Sequence, residues 1–375
     1  MIGYLDNAAS TPVDVKVGLA ITRQLDSNGG FGNPSSVHEY GELASQYITT
    51  ARCDVAKLLT SSDKQIVFTS GATESNNLAL KGLSLCKHII TTAVEHKSII
   101  ASCSFLEQNG VDVTWLKPNP DGAIDLDELS DSMRVETGLV SIAHVNNETG
   151  FIQDISSIAE IVKSKGSLLH VDAAQSFGKL PIDLTKCPID LLSISAHKIY
   201  GPKGVGALFV RKGLEKKMTP QMHGGGQELG LRSGTLPTHQ IVGFGVAASI
   251  AQESMEQDHE VLTRYKARLI DALGQIGGMH INGDVSRSVP NILNISFDGV
   301  DSDVLIHRVR NKIAISNGSA CNSGAIEPSY VLRAMGLPEE RVYGAIRIST
   351  GRFTESDDIE LAIETLHEAV TFLRS

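Results

Sequence analysis

The chain has 375 residues, of which 41% are hydrophobic and 20% charged, and its formal net charge is −10. This length is enough for two domains, or for one large α/β body with an appendage, and for a sizeable buried core. Because proteins that bind nucleic acids concentrate Lys and Arg, the acidic balance argues against an extended phosphate-binding surface.

The N-terminus and the apolar runs predict neither export nor membrane insertion. The first ten residues, MIGYLDNAAS, lack the basic segment and the apolar run of a signal peptide. No apolar stretch is long enough to cross a bilayer. We therefore expect a cytoplasmic protein.

Five cysteines are scattered along the chain without a C-x-x-C pair: Cys53, Cys86, Cys103, Cys187 and Cys321. This odd, scattered set predicts neither a disulfide framework nor a zinc site, and in a reducing cytosol we expect free thiols. Four of them lie in helical or mixed apolar contexts and are expected to be small core or surface residues. Cys321 differs, because its stretch SNGSACNSGAIEP consists mostly of glycine and small polar residues.

Between about residues 65 and 212, short apolar runs alternate with helix-like segments. The runs are QIVFTS, HIITTAV, DVTWL, GLVSIAHV, SLLHVDA, DLLSISAHK and GALFVRK. This alternation predicts an α/β domain whose seven-stranded, mainly parallel sheet is covered by helices on both faces. In such sheets ligands bind beyond the carboxyl ends of the strands, so the polar residues that close the runs are the first candidates for a site.

The first candidates follow QIVFTS, in the stretch FTSGATESNN. The backbone N–H groups of Gly71, Ala72 and Thr73 would point outward from a helix start, which favours anion binding. An ordinary capped helix is the alternative, since Ser70 and Thr73 both suit caps. After the next run, His96 is either structural or, at the mouth of the crevice, able to stack on an aromatic ring or move protons.

Three further candidates follow the middle strands. Asn147, in HVNNETG, suits a turn cap or a donor to a ring substituent. Asp172 closes an apolar run, and Gln175 comes one turn later. Asp172 is either a helix N-cap or the partner of a protonated pyridine nitrogen, which would make a cofactor ring a better electron sink.

Ser195, His197 and Lys198 end the run SISAHK. A lysine at the end of a buried strand is costly unless it is paired or neutral. One interpretation, favoured for an arbitrary lysine, is that the side chain of Lys198 reaches solvent. The alternative is a lysine that holds pyridoxal phosphate as a Schiff base, which needs a lowered pKa and a sheltered site. Asp172, on the preceding strand, favours the cofactor interpretation, whereas the GPKG that follows lacks the spacing of a P-loop.

The pattern changes after about residue 222. A glycine-rich stretch, HGGGQELGLRSGT, precedes a long helical region, PNILNISF, a helix-like SDVLIHRVRNK, the Cys321 stretch, the strand AIRIST and a final amphipathic helix. This order predicts a smaller C-terminal α+β domain that residues near the N-terminus join. We predict a large domain of residues 15–255 and a small domain of residues 1–14 and 256–375.

Ten stretches, in chain order, resemble a known family. They are GNPSSVHEYG, SGATESNN, VEHKSI, HVNNETG, HVDAAQSFGKLPID, SAHKIYGPKGVGAL, HGGGQELGLRSGT, GSACNSG, EPSYVLRAMG and AIRISTGRFT. Together they resemble the pyridoxal-phosphate-dependent cysteine desulfurases of the class V aminotransferase group, from about residue 5 to about residue 353. The resemblance implies the fold of a fold-type I pyridoxal-phosphate-dependent transferase.

The resemblance also implies a role for each candidate near the ring of the cofactor. Lys198 would carry pyridoxal 5'-phosphate covalently. Asp172 would hold the pyridine nitrogen, and Gln175 would hold the ring oxygen with Asn147 nearby. His96 would stack over the ring and serve as an acid or a base.

Further implied roles concern the cofactor phosphate and the substrate. Four residues would bind the phosphate: Ala72, Thr73, Ser195 and His197. Thr235, in RSGT, would reach the phosphate of the other subunit in a homodimer. Arg347 would clamp the substrate carboxylate, with Asn147 beside it, because a planar bidentate donor suits a carboxylate.

Cys321 would be the nucleophile of the implied reaction. L-Cysteine would displace Lys198 from the cofactor, the freed lysine would move protons, and the Cys321 thiolate would attack the substrate sulfur and become a persulfide as alanine departs. Small neighbours favour a loop that can swing towards an acceptor, and partial exposure near positive groups favours the thiolate. An inert surface cysteine is the alternative. Asn317 and Asn322 stand where other members often carry serine or threonine, which we expect to tune loop mobility rather than the reaction.

The resemblance leaves the sulfur acceptor open. Iron–sulfur cluster assembly, tRNA thiolation and sulfur modification of DNA are candidates, in that order, and the net charge of −10 argues that any nucleic-acid role is indirect. Two other functions are weighed against a desulfurase. One is another reaction of the same cofactor, by an aminotransferase or a selenocysteine lyase, and the other is a non-enzymatic scaffold that binds partners. We expect no membrane partner and no metal.

Overall fold

A computed structural model of the chain describes residues 2–83, 86–318 and 328–375. Within them, the strands are β1 (Gly3–Tyr4), β2 (Ile66–Thr69), β3 (His88–Thr92), β4 (Asp112–Leu116), β5 (Thr137–Ala143), β6 (Leu168–Asp172), β7 (Leu191–Ser195), β8 (Gly206–Val210), β9 (Met279–Ile281), β10 (Ile292–Phe297), β11 (Ile313–Ala314) and β12 (Ala345–Ser349). The α-helices are α1 (Val15–Thr22), α2 (Glu39–Leu58), α3 (Ala72–Gly82), α4 (Lys97–Gln108), α5 (Leu126–Ser132), α6 (Ile155–Ser164), α7 (Thr238–Gly274), α8 (Ser302–Val309), α9 (Tyr330–Ala334), α10 (Glu339–Tyr343) and α11 (Ser356–Leu373).

Local side chains explain where several helices begin. Asp125, Asp154 and Asp301 immediately precede α5, α6 and α8, and each accepts a hydrogen bond from a backbone N–H of the first turn. These aspartates satisfy donors that the helix itself leaves unpaired. The start of α3 is different, because no side chain caps it.

The central sheet has seven strands in the order β2-β8-β7-β6-β5-β3-β4. Strand β8 runs antiparallel to both of its neighbours, and the other pairs are parallel. The seven apolar runs of the sequence supply the seven strands, so the predicted mainly parallel seven-stranded sheet is confirmed. Strands β3, β7 and β8 are buried along their whole length, as expected for strands covered on both faces.

Successive residues of each central strand enter different hydrophobic cores. Ile89 and Leu208 pack in the core that includes α3 and α4. Their neighbours Ile90 and Phe209 pack in the core that includes α2, α6 and α7. This alternation follows from the two-residue period of a strand, and it confirms that helices cover both faces.

A second, smaller assembly contains an antiparallel sheet in the order β12-β10-β9 and the parallel pair β1-β11. Leu5, from the N-terminus, packs in its core with residues of α7, β10, β12 and α11. The smaller α+β part and the contribution of the N-terminus are therefore observed. The predicted boundary between residues 255 and 256 falls inside the continuous helix α7, and the exact division stays a prediction.

The described cysteines are free, as predicted: Cys53, Cys86, Cys103 and Cys187. Burial raises the pKa of Cys86 to about 11 and that of Cys103 to about 12. These two thiols therefore stay protonated at neutral pH and react poorly, since the thiolate is the nucleophile. Among the described residues, no helix combines the length and the apolar character needed to span a bilayer.

Candidate active site

A cavity of about 410 Å³ lies at the edge of the central sheet where β3, β5, β6 and β7 end. Ten residues predicted from the sequence line it: Ala72, Thr73, His96, Asn147, Asp172, Gln175, Ser195, His197, Lys198 and Arg347. Parallel strands bring their carboxyl ends to one edge, so residues that are far apart in sequence meet there. Their individual roles stay predictions.

Lys198 ends a short 3₁₀ turn that follows β7, and its amine lies against the N-terminal segment. Its Nζ donates to the carbonyl oxygens of Ala8, at 2.5 Å, and Ala9, at 2.8 Å. The N-terminal segment is fixed there by Thr11, whose N–H donates to the carbonyl of His197. Sequence reasoning missed this segment, because small residues such as alanine carry no chemical signal when their backbone is the functional part.

Asp172 ends β6 with its carboxylate held by two donors. Oδ1 accepts from the backbone N–H of Ala174 at 2.9 Å, and Oδ2 accepts from Asn76 Nδ2 at 2.7 Å. Asn76 is fully buried on α3 and also donates to Ser98 Oγ. The bonds fix the orientation of the carboxylate. Asn76 was missed as a site residue, although it stands in the stretch SGATESNN that the sequence analysis singled out.

Both the nitrogen and the oxygen of the Gln175 side-chain amide have a hydrogen-bond partner, which fixes its orientation. Its Nε2 donates to the carbonyl of Ala8 at 2.8 Å, and its Oε1 accepts from Lys179 Nζ at 3.3 Å. The amide nitrogen therefore keeps a second hydrogen for another acceptor. Burial, together with the charges of Lys198 and Arg347, lowers the pKa of Lys179 to about 7. Lys179 was also missed, since one lysine in a loop carries no specific signal.

The start of α3 has no side-chain cap at its N-cap residue, Gly71. Gly71 precedes the helix with a φ of +151°, and no side chain caps the first turn. The ordinary capped helix is therefore not what the structure contains, and the outward N–H groups favour an anion. Opposite, Gly206 permits a close approach, because a Cβ there would lie 2.7 Å from the Cα of Gly71.

Two histidines line the cavity in different ways. His96 caps α4, and its Nδ1 accepts from the backbone N–H of Ser98 at 3.2 Å. This bond places the ring proton of the neutral form on Nε2. Burial, assisted by the charges of Lys198, Lys203 and Lys179, lowers the pKa of His197 to about 4, so this ring is neutral at pH 7.

Arg347 enters the cavity from β12, on the smaller sheet. Its Nη2 donates to Asp6 Oδ1 at 2.8 Å, and its Nη1 donates to the carbonyl of Asn147 at 2.8 Å. The side chain is 4% exposed, and within the described part of the chain Nε has no hydrogen-bond partner. A buried guanidinium with an open donor is suited to a small carboxylate. Asn147 thus contacts Arg347 through its backbone. Asp6 was missed by sequence reasoning.

One predicted residue, Thr235, is not brought to this cavity. Thr235 is exposed in the segment before α7 and does not line it. Cys321, like Asn322, lies outside the described residues. Gly318, just before residues 319–327, does line the cavity. The preceding Asn317 donates from Nδ2 to Asp303 Oδ1 at 3.3 Å.

These features fit pyridoxal phosphate. The cavity has the size of a small cofactor with its substrate. A lysine amine, an oriented carboxylate and an uncapped helix start lie on its wall, and these groups suit an aldehyde, a pyridine nitrogen and a phosphate respectively. The large and small sheets with this site define a fold-type I pyridoxal-phosphate-dependent transferase.

Comparison with known proteins gives the family. Residues 3–361 match the family model described as Aminotransferase class-V, and the chain belongs to that family. It is 50% identical to cysteine desulfurase IscS of Proteus mirabilis over 377 residues, covering 99% of this chain and 93% of that protein. A solved NifS-like protein superposes with a TM-score of 0.93 at 36% identity, covering 99% of this chain and all of that one. SspA in complex with cysteine superposes with a TM-score of 0.83 at 39% identity, covering 94% of this chain and all of that one.

Proposed function

We propose that this chain is a cysteine desulfurase that converts L-cysteine to L-alanine and places the sulfur on Cys321. The observation that carries the proposal is the meeting of Lys198, Arg347 and Gly318 on the wall of one cavity. A lysine suits the cofactor, an arginine suits the carboxylate of an amino acid, and the segment that begins after Gly318 contains the cysteine. The identity to cysteine desulfurase IscS over nearly the whole chain supports the same reaction.

Residues that line the cavity are proposed to hold pyridoxal 5'-phosphate in the roles that the family resemblance implies. Lys198 would carry the aldehyde carbon, Asp172 would face the ring nitrogen, and Gln175 would donate its remaining amide hydrogen to the ring oxygen. When bound, the cofactor withdraws electrons from the amino acid at Cα, which weakens the bond between its β-carbon and its sulfur. Ala72, Thr73, Ser195 and His197 would hold the phosphate at the start of α3.

The other groups of the chain bind the substrate and move protons. Arg347 binds the carboxylate through its open Nε, and this fixes which side of the amino acid faces Lys198. The lysine amine, positioned by the carbonyls of Ala8 and Ala9, accepts and returns the proton at Cα. Neutral His96 carries its ring proton on Nε2, so it would act as an acid from that atom and as a base there once the proton has left.

The sulfur step balances without a further reagent. The Cys321 thiolate forms a bond to the substrate sulfur, the carbon–sulfur bond breaks, and its electron pair stays with the β-carbon, which takes up a proton. One L-cysteine and one thiol thus give one L-alanine and one persulfide. An acceptor or an added thiol then removes the outer sulfur and restores the thiolate.

The assembly and the acceptor belong to the same proposal. In a homodimer, the exposed Thr235 would complete the phosphate site of the partner subunit. The persulfide would pass sulfur to a cytoplasmic acceptor, with iron–sulfur cluster assembly as the first candidate and tRNA thiolation and sulfur modification of DNA after it. The net charge of −10 disfavours direct contact with nucleic acid.

The test is turnover of L-cysteine by the purified protein with a reductant. We expect a cofactor absorbance band and equal amounts of alanine and sulfide, and we expect Cys321→Ser to abolish sulfide release. Full turnover by Cys321→Ser, or a strong preference for selenocysteine, would point to another reaction of this cofactor. A colourless protein without an adduct on Lys198 would point to a scaffold.

A further inference from the structure

One buried carboxyl group, that of Glu148, lies beside both flanks of the Cys321 segment in the described chain, at Gly318 before it and at Ser329 after it. On the C-terminal side, Ser329 Oγ donates to Glu148 Oε2 at 2.5 Å. On the N-terminal side, Gly318 has a φ of +84°, and a Cβ added to it would lie 3.0 Å from the same Oε2. Both flanks therefore lie beside Glu148 Oε2. A residue larger than glycine at position 318 would crowd this oxygen.

Glu148 is itself fixed by the turn after β5. It is 1% exposed, and its backbone N–H donates to Asn146 Oδ1 at 2.9 Å. Its carbonyl accepts from Asn294 Nδ2 at 3.2 Å, which ties the turn to β10. Because these two hydrogen bonds hold the backbone of Glu148, its side chain starts from a fixed position.

The same turn contacts the arginine that would bind substrate. Asn147 accepts from Arg347 Nη1, as described above. Arg347 and Ser316 exchange backbone hydrogen bonds, Ser316 N to Arg347 O at 3.2 Å and Arg347 N to Ser316 O at 2.5 Å. Ser316 Oγ in turn accepts from the N–H of Gly318 at 3.1 Å. Residues 147 and 148 thus join the arginine to the flanks of the Cys321 segment.

We propose that Glu148 is a positioning residue that holds both flanks of the Cys321 segment in register with Arg347, and so controls how readily Cys321 meets the sulfur of a bound amino acid. The proposal rests on the desulfurase function. Burial raises the pKa of Glu148 to about 7, whereas the Ser329 hydrogen bond and the charges of Arg347 and Lys97 act in the opposite direction. The carboxyl group is therefore retained at a cost, which is typical of a group with a specific task.

The experiment compares Glu148→Ala and Glu148→Gln with wild type in two readouts. The first is the rate at which iodoacetamide alkylates Cys321 without L-cysteine, with the exposed Cys53 as the internal reference. The second is persulfide formation on Cys321 in a single turnover. Glu136→Ala is the matched control, because this exposed glutamate precedes β5 whereas Glu148 follows it.

Loss of the carboxylate should release the flanks. We expect Glu148→Ala to raise alkylation of Cys321 relative to Cys53 about threefold or more and to slow persulfide formation about tenfold, since the Ser329 hydroxyl loses its buried acceptor and Gly318 loses the side chain beside it. Glu148→Gln keeps an acceptor for Ser329 and should stay within about threefold of wild type in both readouts.

Several results would overturn the proposal. It fails if Glu148→Ala matches wild type in both readouts, or if persulfide formation slows while the alkylation ratio stays unchanged. If Glu148→Ala does not fold, Ser329→Ala carries the test through the other partner, and a wild-type alkylation ratio in that variant overturns the proposal. A wild-type enzyme that forms no persulfide refutes the proposed function instead, whereas the alkylation readout still decides the role of Glu148.

Discussion

The two walls of the cavity are built in different ways. The wall that holds Lys198 and Asp172 comes from ends of neighbouring strands in one sheet, and its hydrogen bonds run largely to backbone groups. The wall that holds Arg347 comes from the smaller sheet, and its partners Asp6 and Asn147 lie 341 and 200 residues away in sequence. The first wall follows from strand topology, whereas the second depends on how two assemblies meet.

The comparison predicts that chemistry belongs to the first wall. Lys198→Ala should lower turnover by about a thousandfold or more, because it removes the group that binds the cofactor and moves the proton at Cα. Turnover of L-cysteine and the cofactor adduct on the peptide that contains Lys198 provide the measurement. Lys212→Ala, at an exposed lysine after β8, is the control, and an active Lys198→Ala enzyme would contradict this assignment.

The second wall should govern substrate binding. Arg347→Lys keeps a positive charge but loses the planar fork, so we expect KM for L-cysteine to rise about 10- to 100-fold with a smaller change in kcat. Steady-state kinetics measure the split. Arg264→Lys, on the exposed face of α7, should behave as wild type. A fall in kcat at unchanged KM would place Arg347 in the chemical step. It would contradict the assignment of substrate binding to the second wall.

A smaller effect is expected for the support of Asp172. Asn76→Ala removes the amide that donates to Asp172 Oδ2, and we expect kcat to fall about five- to tenfold. Asn77→Ala is a close control, because this neighbouring amide is only half-buried and donates to the carbonyl of Thr73 in a solvent-exposed hydrogen bond. Equal kinetics for the two variants would show that Asn76 does not position Asp172.

The same contrast explains what could be predicted from the sequence. The seven strands and the polar residues that end them, such as Asp172 and Lys198, follow from short-range patterns of apolar and polar residues. The contacts of Ala8, Asp6 and Asn76 do not, because they depend on backbone carbonyls or on long-range packing. Roles in cofactor and substrate binding came from the family resemblance rather than from periodicity.

An effect on stability rather than turnover is expected at Glu95, a buried glutamate close enough to Asp172 of the first wall for the two charges to interact. Burial raises the pKa of Glu95 from 4.5 to about 8, against hydrogen bonds from Ala143 N–H and Thr92 Oγ1. The folded protein keeps this proton up to about pH 8, whereas the unfolded chain loses it near 4.5. Wild-type stability should therefore decline as pH rises through this window.

Glu95→Gln is neutral throughout the window and keeps an oxygen acceptor. We expect its free energy of unfolding to exceed that of wild type by about 1–3 kcal/mol at about pH 8.5, with a smaller difference near pH 5. Denaturant unfolding at the two pH values measures the difference, and Glu136→Gln, at an exposed site, should show none. A difference that does not grow with pH would contradict a protonated Glu95 in the folded state.

The most direct measurement is peptide mass spectrometry of the cofactor-loaded enzyme after one turnover of L-cysteine without reductant. The account predicts a gain of about 32 Da, one sulfur atom, on the peptide that contains Cys321, together with one equivalent of L-alanine. Alanine formed without added mass on that peptide would contradict transfer of sulfur to Cys321.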